Sequence, residues 1–214
     1  MAQERTITER IREVAHDLIM QFGVRSVSMD DIARSAGMSK KTIYQHYADK
    51  DALVLAVIKD KIALNQDCSL KDLSTARDAV HEVFLCIARM QDMFANMHPS
   101  LIFDLQKFFP SAFSLIQDHR FRFWGKIFTE NIQRGIREEL YRPELQVDVL
   151  VKARLENMML AFNPVIYPNN RFRLVDVQTQ LTEHFLFGMA SLKGHKRILH
   201  YLQERNKKRI HEQK

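Results

Sequence analysis

Apolar residues at Ile7, Ile11, Val14, Ala15, Leu18, Ile19 and Phe22 recur at three- and four-residue intervals. One stripe of a 3.6-residue period predicts an amphipathic helix from about 6 to 22. Thr6 with Glu9 reads as a capping box at its start, and Gly23 reads as its stop. Ser28 with Asp31 then opens a short helix over 29–36, with Met29, Ile32, Ala33 and Ala36 on one side. Gly37 supplies the turn, because glycine takes a positive φ at little cost. Ser39 caps a second short helix that ends near 46. Asp49 caps a fourth, expected to reach about 67, with Leu53, Val57, Ile58 and Leu64 along it. The two central helices are too short to be stable alone, so they must dock on the first.

Beyond residue 67 the texture changes to long amphipathic segments at about 73–96, 100–108, 111–138, 146–163 and 173–192, then a basic tail helix. "HPS", Pro110, "YRPE" and "NPVIYPNN" mark the breaks. There are no internal repeats and no low-complexity tracts. The pattern predicts an all-α chain in two parts. An N-terminal three-helix domain, 1–48, holds a helix-turn-helix. A larger helical bundle, 49–214, follows it.

Composition changes this picture little. With five Pro and six Gly in 214 residues, long helices are favoured over a loop-rich β architecture. No apolar run reaches the ~18 residues a membrane-spanning helix needs. The opening "MAQERTITER" is polar and charged, unlike a secretory leader, so a cytoplasmic protein with no membrane partner is expected. Cys68 and Cys86 make no CxxC pair and read as free thiols; buried structural thiols are the plainer reading beside a redox pair.

Charge looks more informative than it is. The net +6 sits in the tail: residues 193–214 carry eight Lys/Arg against two Asp/Glu, whereas 1–61 carry ten against nine. Any nucleic-acid argument must therefore rest on local placement. On the second short helix, Ile43 and Tyr47 share the face that docks on the core. Lys41, Tyr44 and Gln45 point away from that face, and Lys40 lies in the first turn. Lysine can reach a guanine edge or a phosphate, and tyrosine a phosphate or a thymine methyl. Ser28, Ser39 and Thr42 sit at or near helix N-termini, which favour phosphate, and Lys50 opens the next helix. The plainer alternative leaves Lys40 and Lys41 as solvated lysines and Tyr44 as partly core.

The run "SMDDIARSAGMSKKTIYQHYADKDAL", preceded by "AHDLIMQFGVRSV", closely resembles the N-terminal DNA-binding domain of the TetR family of transcriptional regulators. The matching positions are Gly23, Ser28, Ile32, Ala33, Ala36, Gly37, Met38, Ser39, Thr42, Ile43, Tyr44, Tyr47, Lys50 and Leu53. Two positions depart: Tyr47, where phenylalanine is usual, and Lys41, where a small residue is common. The resemblance covers about the first quarter of the chain. It implies base contacts from Lys40, Lys41 and Tyr44. It implies backbone contacts from Ser28, Ser39, Thr42, Gln45, His46 and Lys50. It also implies a homodimer on a palindromic operator, joined through two long helices of the regulatory bundle.

Here the candidates for that joint are "VDVLVKARLENMMLAF" and "LVDVQTQLTEHFLFGMASL", the second with Leu181, His184, Phe185, Gly188, Met189 and Leu192 at helical spacing. Gly188 in mid-helix costs ~1 kcal/mol against alanine, which a close helix approach would justify; ordinary packing within one chain competes with this reading. The resemblance further implies a small-molecule cavity. Candidate lining residues are Phe94, Phe103, Phe121, Trp124, Phe128, Met158 and Phe162, adaptable side chains that equally serve as plain core. Glu156 and Asn157 lie inside an apolar helix, where they orient a ligand, pair across a dimer, or simply face solvent.

Nine histidines form neither HExxH nor a zinc-finger spacing, and there is no Gly-rich phosphate loop and no GxSxG. No metal, cofactor or enzymatic activity is expected. The expected function is a sequence-specific DNA-binding transcriptional regulator, a repressor released from a palindromic operator by a small-molecule effector. The alternatives are a ligand-independent DNA-binding protein, or a helical interaction module or enzyme that retains the reader domain.

Overall fold

The computed structural model describes residues 6–212, with side chains described through residue 207; the last basic residues of the tail lie beyond these. Eleven α-helices follow in order among the described residues: α1 (Ile7–Phe22), α2 (Met29–Ala36), α3 (Lys40–His46), α4 (Lys50–Ser74), α5 (Ala79–Phe94), α6 (Leu101–Phe108), α7 (Pro110–Asp118), α8 (Gly125–Arg137), α9 (Val147–Leu160), α10 (Leu174–Met189) and α11 (Leu192–Glu212). A π-helical turn, His119–Trp124, joins α7 to α8. The described residues form no β-strand; Tyr141 and Ala190 make one isolated bridge.

The helix starts are set by side chains. Thr6 and Ser28 each form a reciprocal capping box, with Glu9 and Asp31. Ser39 accepts from the Thr42 amide, and Asp49 from the Ala52 amide. Two boundaries differ from the apolar pattern. The fourth helix runs on to Ser74, because nothing between 67 and 74 interrupts its hydrogen bonding. The next begins only at Ala79, where the Asp78 carboxylate accepts from the His81 amide and caps it. The expected single segment 111–138 is divided by the π turn.

The chain forms two compact units. One runs through Gln66 and adds Ala95–His119; the other holds Asp67–Phe94 and continues from Arg120. In the first, Ile11, Ala15 and Ile19 of α1, Ile32 of α2, Ile43 of α3 and Leu53 and Val57 of α4 form one core with Leu101, Leu105, Phe109 and Ala112. So α6 and α7, although within 49–214, bury their apolar faces with α1–α4. In the second unit, Val80 and Phe84 of α5, Ile132 of α8, Val151 and Leu155 of α9, Leu186 and Met189 of α10 and Ile198 and Tyr201 of α11 enclose the core. The seat of α11 requires a glycine: a Cβ at Gly194 would lie 1.8 Å from the Leu140 carbonyl oxygen.

Candidate nucleic-acid interface and regulatory cavity

Three constraints aim α3. Its apolar side is anchored by Ile43, fully buried, and Tyr47, 8% exposed. Its start is fixed by Ser39, whose hydroxyl also lies 2.8 Å from the Thr42 hydroxyl. Its approach from α2 is a tight turn in which Gly37 takes φ 67°, the left-handed region where a Cβ is strained.

What remains outward is polar. Lys40, Lys41, Gln45 and His46 are exposed, as are Ser28 and Ser39 at the two helix starts; Thr42 and Lys50 are half-buried. Tyr44 is 44% exposed, so its ring is not core. The sequence-derived set is thus brought together on one side of two helix starts and one short helix. A 3.5-turn ladder is not needed for this: α3 has only seven residues, and its face is set by its anchors.

The charges on this face have local partners. Lys40 Nζ lies 2.8 Å from Asp30 Oδ1 and 5.9 Å from the Tyr44 ring centroid. The Asp30 hydrogen bond raises the Lys40 pKa, so the ammonium stays charged. Both partners of the pair are more than half exposed, so solvent screens it and it holds Lys40 only weakly. Lys50 sits 5.5 Å from the centroid of the Phe109 ring, and burial lowers its pKa. The Ser28 hydroxyl donates to Asp31 at 2.6 Å, and that bond holds the Asp31 carboxyl below its usual range.

One linkage behind the face has no counterpart in the apolar pattern. Arg12 Nη1 donates to the Tyr47 hydroxyl at 3.1 Å, and the same guanidinium pairs with Asp60. The hydroxyl that distinguishes Tyr47 from phenylalanine therefore ties the end of α3 to α1, and through Arg12 to α4.

The second unit holds a cavity of about 30 Å³ between α5, α8, α9 and α10, enough for about two waters. Of the expected pocket residues, only Phe128 lines it. Trp124 packs tilted against Phe128 at 5.7 Å without lining the cavity, and Phe94 and Phe162, which meet edge-on at 5.4 Å, do not line it either. Met158 is half-buried against the core, with its carbonyl accepting from Gln178. Phe121 is 52% exposed, and Glu156 is exposed and paired with Arg120 at 3.4 Å. Phe103, 49% exposed, belongs to the other unit.

Along α10 the expected interface residues divide. Met189 is buried in the core of its own unit, and Phe185 packs on that core and lines the cavity. Leu181 is half-buried. His184 and Gly188 are exposed; Leu192, 88% exposed, is not on α10 as its spacing suggested, because the helix ends at Met189 and Leu192 opens α11. Nothing lies within 4 Å of a Cβ built on Gly188, so no packing within this chain calls for a glycine there.

With this geometry in place, comparison with known proteins is direct. Residues 11–57 match the model of the bacterial regulatory proteins of the tetR family. Over that segment, about a fifth of the chain, the sequence is that of a TetR-family DNA-binding domain. HTH-type transcriptional regulators of Staphylococcus aureus are 41% identical over 51 residues, which is 24% of this chain and 28% of theirs. The chain thus spans little more than a quarter of the length of the curated relatives it matches. A TetR-family regulator from Agrobacterium tumefaciens superposes over 86% of this chain and 97% of its own, with TM-score 0.69 and 16% identity. A transcriptional regulator from Saccharomonospora viridis, solved in complex with choline, covers the same shares with TM-score 0.67 and 20% identity. These two likenesses extend the TetR-family fold beyond the reader helices to the rest of the described chain.

The TetR-family pattern does not mark the most unusual group in the second unit. Arg154, 7% exposed, lines the cavity beside Cys86, and its Nη2 donates to the Thr182 hydroxyl at 2.7 Å. Burial pulls the Arg154 pKa down to about 10, so it remains a cation at neutral pH. Burial pushes the Cys86 thiol up to about 12, so it is no counter-charge. A sequence signal for Arg154 exists: it occupies the i+3 place on the buried stripe Val151, Leu155, Met158 of α9. No described helix is long and apolar enough to cross a membrane, and no three His, Cys, Asp or Glu side chains among the described residues gather to hold a metal ion.

Proposed function

We propose that the chain is a DNA-binding transcriptional regulator, working as a homodimer that reads a palindromic operator and is released from it by a small molecule. Residues 1–48 act as the reader and 49–214 as the regulatory and dimerising part. The observation that carries the reading is the outward face of α3: Lys40, Lys41, Tyr44, Gln45 and His46 exposed, with Ile43 and Tyr47 locked inward. Lys40, Lys41 and Tyr44 take base edges; Ser28, Ser39, Thr42, Gln45, His46 and Lys50 take backbone phosphates. One seven-residue helix spans few base pairs, so affinity comes from two readers about one helical turn, or ~34 Å, apart. The exposed His184 and Gly188 of α10, with the exposed Leu192 at the start of α11, supply a seam for the second copy.

Release is a two-state change. Ligand in the second unit favours one spacing of the readers and DNA another, and the coupling is reciprocal. The regulator from Saccharomonospora viridis solved with choline supports a small-molecule site in this class of helical unit. A repressor working in the cytoplasm, with no chemistry of its own, fits the reading. The small cavity, about 30 Å³, favours one second reading: a DNA-binding protein that needs no ligand.

Selection of bound sequences from a random DNA pool, at stated salt, is the test. A palindromic consensus is the expected result. No enrichment, in a folded protein, overturns the reading.

A further inference from the structure

The second unit buries a positive charge with no negative partner. No described carboxylate pairs with Arg154, and its Nη1 makes no hydrogen bond. Its hydrogen-bonded neighbour, Thr182, is neutral and donates its own hydrogen bond to the Gln178 carbonyl at 2.7 Å. The ring centroids of Phe128 and Phe185 lie 5.4 and 5.9 Å from the guanidinium carbon and give it only aromatic faces. Glu82 is the acidic group on the cavity wall, and it is already committed: its carboxylate takes Arg134 Nη1 at 3.2 Å. Arg134 in turn holds Glu138 at 2.7 Å, and Glu138 caps the Ala79 amide, so this network fastens α5 to α8 and is not free to turn.

A buried, unpaired guanidinium is costly to keep, and its planar fork of donors fits a carboxylate or similar oxyanion. The remaining walls are Val83, Ile132, Leu186 and Met189, which suit a short hydrocarbon stub, and Asn131, whose amide already donates to the Ala79 carbonyl and accepts from the Tyr141 hydroxyl. We propose that Arg154 is the anchor of an anionic-ligand site, and that the ligand class is a small monocarboxylate whose head accepts from the unpartnered Nη1 of the guanidinium. This rests on the effector reading above and deepens it. The cavity admits only two or three non-hydrogen atoms as it stands, so any longer acid must part the helices that wall it to enter. That displacement is what a regulator needs, because only a ligand that prefers one arrangement shifts the balance.

The test is thermal melting of the full chain without DNA, in sodium formate, acetate, propionate, butyrate and octanoate. Acetamide is the neutral isostere and sodium chloride the control at equal ionic strength. A short carboxylate at 100 times its Kd is expected to raise the melting temperature by several degrees, roughly 5 °C or more. Acetamide and chloride are expected to leave it unchanged. Arg154→Met keeps volume without the charge and should melt cooperatively with no response; Arg154→Lys should respond more weakly, having lost the fork. No response of the wild type to any carboxylate, an equal response in Arg154→Met, or the same shift from chloride overturns the proposal. Because no DNA is present, such a failure is separate from failure of the operator selection: a protein that enriches a palindrome but ignores every carboxylate is a regulator without this site.

Discussion

At the scale of single residues, two side chains make the first unit sensitive to chemistry that apolar spacing does not record. His119 is flanked by amides: its Nδ1 lies 3.2 Å from Gln66 Nε2 and its Nε2 3.2 Å from Asn65 Oδ1. One donor and one acceptor suit the neutral ring, with the proton assigned to Nε2. Burial lowers its pKa from 6.5 to about 4. A base whose folded pKa is depressed supports the fold fully above its unfolded value and loses that support as pH falls. Urea titrations are expected to show stability falling between pH 6.5 and 4, with a shallower slope in His119→Gln. His16, also lowered by burial, contributes in the same direction, so the slope should not vanish. Tyr47→Phe removes the hydroxyl that Arg12 donates to. It should cost about 1 kcal/mol in urea unfolding, with the m-value unchanged, because a hydrogen bond is lost but no apolar contact is.

Among the elements, α3 concentrates the proposed DNA contacts in seven residues that cannot hold a helix unaided. Its capping serine and buried Ile43 do the holding, which frees the outer side chains to be chosen for contact. Tyr44→Ala should weaken operator binding by about 1–3 kcal/mol and relax preference at the bases it faces. Lys50→Ala should reduce affinity for all sequences alike and flatten the salt slope, as loss of a phosphate contact does. Fluorescence anisotropy on operator and scrambled DNA at several salt concentrations reads both. Unchanged binding in the two variants would remove α3 and the start of α4 from the interface. The helix starts were legible because their chemistry is local: Thr6, Ser28, Ser39 and Asp49 each cap within three residues. The start of α5 was not, because Asp78 gives no periodic signal.

For the whole molecule, the proposed pairing of two copies puts Gly188 on the seam. Gly188 faces outward in mid-helix with nothing within 4 Å of its Cβ. Gly188→Ala should therefore stabilise an isolated copy by up to ~1 kcal/mol through helix propensity. Gly188→Arg should leave the circular dichroism unchanged yet shift the mass in light scattering from dimer to monomer. A dimer that persists in Gly188→Arg would place the seam elsewhere. The division into packing units belongs to this scale too. Leu101, Leu105 and Phe109 join the core of α1–α4 from a distance of some fifty residues, which no local pattern announces.

What the sequence determined alone is what short-range physics controls. The all-α class follows from apolar periodicity. The helix-turn-helix follows from two serine caps and a left-handed Gly37, and the outward face of α3 from the four-residue spacing of Ile43 and Tyr47. The cavity was decided only by tertiary structure. Phe121 and Phe103 have the same composition and spacing as lining residues, yet they are exposed, because a helix stripe says which side is apolar and not what will cover it. Arg154 lies on the apolar stripe of α9, yet its burial is fixed only when α5, α8 and α10 close around it. Burial is a property of several chain segments at once, and so is the charge imbalance that burial creates.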